Sequence, residues 1–275
     1  MSQVLPVPRQ VPWHWPPLIQ ASAAWHAAAI GAAILVPGAL PWAVGAIVLN
    51  HAVITAAGLT PRSSLLGPNV TRLPAPAAAR REIAITIDDG PDPEVTPQVL
   101  DLLDAHGQRA TFFCIAERVL AHPELARQIV GRGHSIQNHT ARHRHDFSLL
   151  GPRGFAREIE RAQKVLHEVT GQRPTCFRAP AGLRNPFLAP VLHRLGLSLV
   201  SWTRRGFDTR ERDAATVLGR LANELAAGDI LLLHDGHAAR TLQGRPVILE
   251  VLPALLARVR AEGLRAVTLP EGLSA

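Results

Sequence analysis

The sequence predicts an α/β domain of alternating strands and helices, preceded by an apolar helical hairpin. Three observations predict it. Between residues 80 and 270, short apolar runs alternate with longer amphipathic stretches, the pattern of βαβ units on a parallel sheet. From Gln10 to Pro61 there is no Asp, Glu, Lys or Arg. Ionisable residues gather where the later apolar runs stop, and side chains at the C-terminal ends of parallel strands converge on one face.

The N-terminal segment holds two apolar runs, "ASAAWHAAAIGAAILV" (21–36) and "PWAVGAIVLNHAVITAAGL" (41–59), divided by "PGAL". Each is near the lower length limit for a spanning helix. Trp13, Trp15, Trp25 and Trp42 fall here, and Trp favours the membrane interface. Small residues are frequent, which lets two helices approach closely in lipid. A cleavable leader fits less well, because the apolar zone starts late and is doubled. The expectation is membrane association through residues 20–60, at a bacterial inner membrane. Arg9 precedes the runs, Arg62 and Arg72 come after them, and none lies between. That distribution weakly favours a cytoplasmic face for the C-terminal domain. The expected organisation is a membrane-associated segment at 1–60, a Pro-, Ala- and Arg-rich linker at 61–80, and a catalytic domain at 81–275.

The chain of 275 residues carries a net charge of +7, almost all of it from arginine, since Lys164 is the only lysine. The arginines are scattered, without a dense basic run or an aromatic stacking set, so no nucleic-acid partner is expected. Cys114 and Cys176 lie in apolar runs without metal spacing and read as buried thiols. There is no dinucleotide-binding glycine fingerprint after a strand, no P-loop, and no internal repeat.

In the second part, strands are expected at 83–87, 110–115, 134–138, 175–178, 197–202, 229–233 and 265–268. Helices are expected at 95–106, 117–131, 152–169, 186–195, 213–227 and 246–262. This set fits an incomplete barrel as well as an open doubly wound sheet. The first strand, in "ITIDDGPDP", ends in adjacent carboxylates, Asp88 and Asp89, before Gly90–Pro91. Such a pair can cap the turn into the next helix or serve chemistry. The third strand runs into "HSIQNHTARHRH", where His139 and His143 are four apart. On a helical turn that spacing brings both imidazoles to one ion, and a neighbouring carboxylate would complete an open two-histidine, one-carboxylate site. The fourth, fifth and sixth strands end at "FRAPAG", "SWTRRGFD" and "LLLHDG". His134 reads as structural, and His145 has no assigned role.

Those strand ends, taken together, closely resemble the motifs of the polysaccharide deacetylase family, carbohydrate esterase family 4. "TIDDGPDP" is similar to the first motif with Ile87 in place of Phe, "HTARH" to the second, "RAPAG" to the third and "LLLHDG" to the fifth. The resemblance spans roughly residues 80–270 and implies an incomplete (β/α)7 barrel. It implies one divalent metal ion, zinc foremost with Co, Ni, Mn or Fe compatible, held by Asp89, His139 and His143. It implies Asp88 as general base held by Arg178, and His234 as general acid. It also implies an oxyanion site near the backbone of Ala181 and Gly182, with Asp208 or Asp229 orienting neighbouring groups. The chain departs from the family where Ala181 replaces a common aromatic residue. In the fourth motif, aligned through Trp202, Arg205 falls on the first Asp, Asp208 on the second and Thr209 on the Trp.

The expected activity is metal-dependent hydrolysis of an N-acyl group, N-acetyl foremost, from an amino sugar. The apolar segment and the arginines Arg204 and Arg205 near the site suggest a lipid-linked or phosphate-bearing glycan. The alternatives are an extracellular deacetylase of peptidoglycan or chitin-like polymer, and a non-catalytic carbohydrate-binding module. The presence of base, ligands and acid argues against the last.

Overall fold

The two apolar runs form 19-residue helices, α1 (Pro17–Leu35) and α2 (Leu40–Gly58). They belong to a computed structural model that describes residues 12–274. Arg9, one of the arginines behind the expected sidedness, lies outside the described residues. At about 1.5 Å per residue each helix spans roughly 28 Å, close to the thickness of a hydrocarbon core. By length and composition both can cross a membrane. Neither turns its apolar side chains onto a protein core: Ile30, Ile34, Leu35, Trp42, Val48 and Leu49 are exposed. Polar contacts join the pair instead. Trp25 Nε1 donates to the Ala46 carbonyl at 3.0 Å, Asn50 Nδ2 to Ser22 Oγ at 2.8 Å, and the His26 and His51 rings meet at 3.3 Å.

Residues 61–80 are packed onto the sheet along their length. Val70 donates its N–H to the Leu199 carbonyl and accepts from the Ser201 N–H, an isolated parallel bridge at the sheet's edge. Leu66 and Leu73 are buried, as is Ala77 of the short helix α3 (Ala75–Ala79).

The domain then alternates as expected. The first units are β1 (Glu82–Asp88), α4 (Thr96–Ala105), β2 (Ala110–Cys114), α5 (Ala116–Ala121), α6 (Pro123–Gly131) and β3 (Ser135–Asn138). Next come α7 (Pro152–Thr170), β4 (Cys176–Phe177), α8 (Leu188–Leu195), β5 (Ser198–Leu199) and β6 (Arg204–Arg205). The last are α9 (Ala214–Ala222), β7 (Ile230–His234), α10 (Val247–Ala261), β8 (Arg265–Val267) and α11 (Leu269–Leu273). All strand pairs are parallel, in the order β5-β4-β3-β2-β1-β7-β6. β8 pairs with Glu82–Ala84, where β2 has not yet begun. β5 and β6 do not pair with each other, so the barrel is a parallel half-barrel. β6 is one strand more than the pattern predicts; two arginines are too short and too polar to read as a strand.

β1 positions the site. Its side chains alternate across the sheet. Ile83, Ile85 and Ile87 join the outer core with Val99 and Leu103 of α4 and Leu252 and Leu256 of α10. Ala84 faces the half-barrel interior with Phe113, Leu232 and Trp202, and Thr86 and Asp88 continue that face at the same period.

The helix expected at 117–131 is two. Pro123 has no N–H to continue a helix and pushes His122 out of helical geometry, to φ −133° and ψ 60°. The helix expected at 213–227 stops at Ala222, with Asn223 extended. Cys114 and Cys176 are buried free thiols.

Candidate active site

Adjacent strand residues point to opposite faces, so Asp88 and Asp89 should diverge. They converge because Asp89 leaves the strand with φ +75°, which swings its carboxylate back over the sheet's end. The turn into α4 has its own cap: Asp92 Oδ1 accepts from the Glu94 and Val95 N–H groups at 2.9 and 3.0 Å. Gly90 is required beside the pair, because a Cβ there would sit 2.4 Å from the Asp235 carboxylate.

His139 and His143 meet without a helical turn. The segment after β3 is a loop whose Thr140 and His143 both have positive φ, at 71° and 52°. Side chains close it: the Thr140 N–H donates to Asn138 Oδ1 at 2.9 Å, and the His143 N–H to Thr140 Oγ1 at 2.8 Å. Such backbone states cost about 1–3 kcal/mol each and persist where surrounding contacts impose them.

Asp89 Oδ1 lies 3.3 Å from His139 Nε2 and 3.2 Å from His143 Nε2, and one donor atom from each of the three residues falls within 4.8 Å of the others. That Oδ1 is buried without a hydrogen-bond partner. His139 Nδ1 is 2.9 Å from the Arg178 carbonyl, so in the neutral ring Nδ1 carries the proton and Nε2 turns a lone pair toward the carboxylate. Burial pushes His143 down to about 4, which keeps that ring neutral. Lone pairs facing a carboxylate oxygen repel unless a cation sits between them. The donor set therefore fits a divalent ion.

Asp89 Oδ2 is held from the far side by His237 Nδ1 at 2.8 Å. Burial opposes the Asp89 charge, but surrounding imidazoles outweigh it, His237 among them, and hold the carboxyl well below the usual range.

Asp88 faces the same space, its Oδ2 4.0 Å from His139 Nε2. Arg178 fixes it. The buried guanidinium donates to Asp88 Oδ1 at 2.6 Å, Thr86 Oγ1 at 2.8 Å, and the Ser201 and Val200 carbonyls at 2.8 and 3.2 Å. Phe113 lies beneath it, its ring centroid 4.1 Å away.

His234 ends β7 in register with Asp88. Its Nδ1 is 2.9 Å from Asp208 Oδ1, and its N–H donates to Asp208 Oδ2 at 2.7 Å. Burial disfavours the charged ring, but the Asp208 carboxylate outweighs burial and raises it to about 9. These groups and Ala181, Gly182, Trp202 and Arg205 line a pocket of about 310 Å³.

Two expectations are corrected. Asp229 precedes β7 and so lies at the opposite end of the strand from His234, bound to Arg72 and Arg204 at 2.7 Å each. Gly182 does not offer its amide to a substrate, since the 3₁₀ turn at Pro180–Gly182 uses that N–H on the Ala179 carbonyl at 2.8 Å. Gly182 matters for space: at φ +75°, a Cβ would lie 2.6 Å from Pro61 and 2.8 Å from Trp202. Ala181, at φ 53°, keeps its amide outside that turn's own hydrogen bonds.

His134 is buried and accepts the Ala110 N–H at Nδ1, while His145 lines the pocket. Two more residues bear on the carboxylates. His237 comes three residues after His234 at the same strand end, a fourth histidine near the carboxylates. Asp235 is fully enclosed; burial pushes it up to about 7, and Thr96 Oγ1 donates to it at 2.5 Å.

Residues 76–200 match the family model described as polysaccharide deacetylase. The chain is 35% identical over 194 residues to a peptidoglycan-N-acetylglucosamine deacetylase of Bacillus cereus, covering 69% of this chain and 86% of the relative. It is 34% identical over 158 residues to a chitooligosaccharide deacetylase of Bradyrhizobium sp., covering 57% and 72%. The crystal structure of the Bc1960 peptidoglycan N-acetylglucosamine deacetylase superposes with a TM-score of 0.68 at 27% identity, over 75% of this chain and 93% of that one.

Proposed function

The chain belongs to the polysaccharide deacetylase family, and from that premise we propose that it hydrolyses the N-acetyl amide of an amino sugar in a glycan or lipid-linked glycan. One observation carries the reading: the unpartnered Asp89 Oδ1 faces two imidazole nitrogens beside an arginine-held Asp88 and across from the His234–Asp208 pair.

Asp89, His139 and His143 would hold a divalent ion, zinc in our reading, which supplies a Lewis acid that makes water a better nucleophile and polarises the acyl oxygen. Asp88 takes the proton from the attacking water, and Arg178 keeps its carboxylate in place. The Ala181 amide faces the charge that develops on the acyl oxygen. As the C–N bond breaks, His234 gives its proton to the departing nitrogen. Asp208 fixes that ring's orientation and keeps it protonated near neutral pH. The products are a carboxylate and a free amine.

Residues 1–60 are the membrane-associated segment in this reading, 81–275 the catalytic domain, and 61–80 their junction. Arg62 and Arg72 favour the cytoplasmic face. The second reading is an outward-facing domain acting on cell-wall polymer, favoured by the substrate named for the Bacillus cereus relative. Protease added to intact cells separates the two: an intact domain supports the first, and cleavage the second.

The direct test is elemental analysis with an activity assay on N-acetylated chito-oligosaccharides. About one divalent ion per chain is expected, lost in His139→Ala/His143→Ala. Activity should vanish on chelation and return with metal. Full turnover by metal-free protein overturns the mechanism.

A further inference from the structure

The junction between hairpin and domain shapes a second cavity, of about 640 Å³, beside the catalytic pocket. Trp202 and Arg205 line both. Its wall also carries Arg62, Arg204 and Arg220, and no carboxylate lines it. Two of these guanidiniums are already countered: Arg204 by Asp229 at 2.7 Å and Arg220 by Glu211 at 3.3 Å. Arg62 and Arg205 form no salt bridge among the described residues, although Asp208 lies near enough to Arg205 to favour its charge. Among the described residues Arg62 donates to the Thr203 carbonyl, at 3.1 Å. Arg205 is held by ring stacking, its guanidinium 5.3 Å from the Trp202 centroid and 4.9 Å from that of Phe207, and its Nε is buried with no partner. Guanidiniums fixed this way, with donors unspent, are suited to a phosphate.

The position matters as much as the charge. α2 ends at Gly58, and Pro61 and Arg62 open the cavity. With the hairpin in lipid, this cavity sits where headgroup phosphates lie, one wall from the reacting carboxylates. We propose that it is an anion subsite that holds a phosphate ester carried by the substrate sugar while the N-acyl group enters the catalytic pocket. The proposal rests on the deacetylase reading for its substrate, but the binding it requires does not depend on turnover.

The test is calorimetric titration of the full chain with glucose 1-phosphate, which has no acyl group, with glucose as the control. Binding is expected for the phosphate only, and it should persist in His139→Ala/His143→Ala. Arg62→Gln should weaken it about tenfold, and Arg62→Gln/Arg205→Gln further. Arg258→Gln, the same charge change on α10, should not. No binding, binding lost with the two histidines, or equal binding by the Arg62 variant would overturn the subsite. A chain that binds glucose 1-phosphate but deacetylates no amino sugar keeps the subsite and loses the functional reading. Vesicles bearing a long-chain alkyl phosphate distinguish the source: capture stronger than that of glucose 1-phosphate assigns a lipid carrier, and equal capture a soluble sugar phosphate. In kinetics, Arg62→Gln should lower the ratio of kcat/KM for N-acetylglucosamine 1-phosphate over the neutral sugar by about tenfold.

Discussion

The half-barrel buries carboxylates at both ends of its central strands and treats them in opposite ways. At the N-terminal end, Glu82 receives Arg80 at 3.0 and 2.8 Å and Arg265 at 2.5 Å. Asp229 receives Arg72 and Arg204. At the C-terminal end, among the described residues, Asp88 has one arginine, Asp89 keeps an oxygen without a partner, and Asp235 forms no salt bridge. Positive φ at Asp89, Thr140, His143 and Ala181 shapes this second end, while Arg81 carries it beside Glu82 at the first. A satisfied carboxylate has nothing left to offer a substrate, so the paired end stabilises and the under-paired end reacts.

If that division holds, Asp88→Asn gives the largest effect: kcat falls about a thousandfold with metal content unchanged, read by steady-state kinetics and elemental analysis. Retained turnover would merge the two ends into one structural role. Next comes the His234–Asp208 pair. His234 acts protonated and is raised to about 9, so kcat should fall as pH rises through about 9. In Asp208→Asn that limb should move to lower pH, because burial is left to disfavour the charged ring. Because the folded-state value is the higher one, the pair's stabilisation is full below about 6.5 and is lost as pH climbs through 9. A pH profile and pH-dependent melts check both.

The paired end should answer in stability alone. Asp229→Asn leaves two guanidiniums facing each other and should cost about 2–3 kcal/mol, the low side for a broken buried pair because Arg72 is half exposed. Thermal melts should show it, with kcat per folded molecule unchanged. A large loss of kcat would mean that the two ends are coupled. Smallest is Arg72→Ala, about 1 kcal/mol or less, since Arg204 still holds Asp229.

Much of the fold is readable from local pattern. β1, β2 and β7 fall within a residue or two of their apolar runs, because strands buried on both faces are largely apolar. The strand-end residues Asp88, Asp89, His139, His143, Arg178 and His234 meet in space because parallel strands deliver their C-terminal ends to one face. β6 is not readable: Arg204–Arg205 pair with Leu231 and Leu232 through backbone alone. His237 shows locally only its place three residues after His234, because its contact with Asp89 crosses from one strand end to another.

Composition, periodicity and spacing determined the fold class, the apolar hairpin and the residue types at the strand ends, since each arises from short-range chemistry along the chain. Tertiary structure decided which carboxylates are paired and which are left open. It placed Asp229 at the far end from His234, used the Gly182 amide inside its own turn, and set the charge-free segment's base beside Arg62 and Arg205. Those outcomes depend on backbone dihedrals and on partners more than a hundred residues away, where hydrogen bonds and burial are shared among several elements.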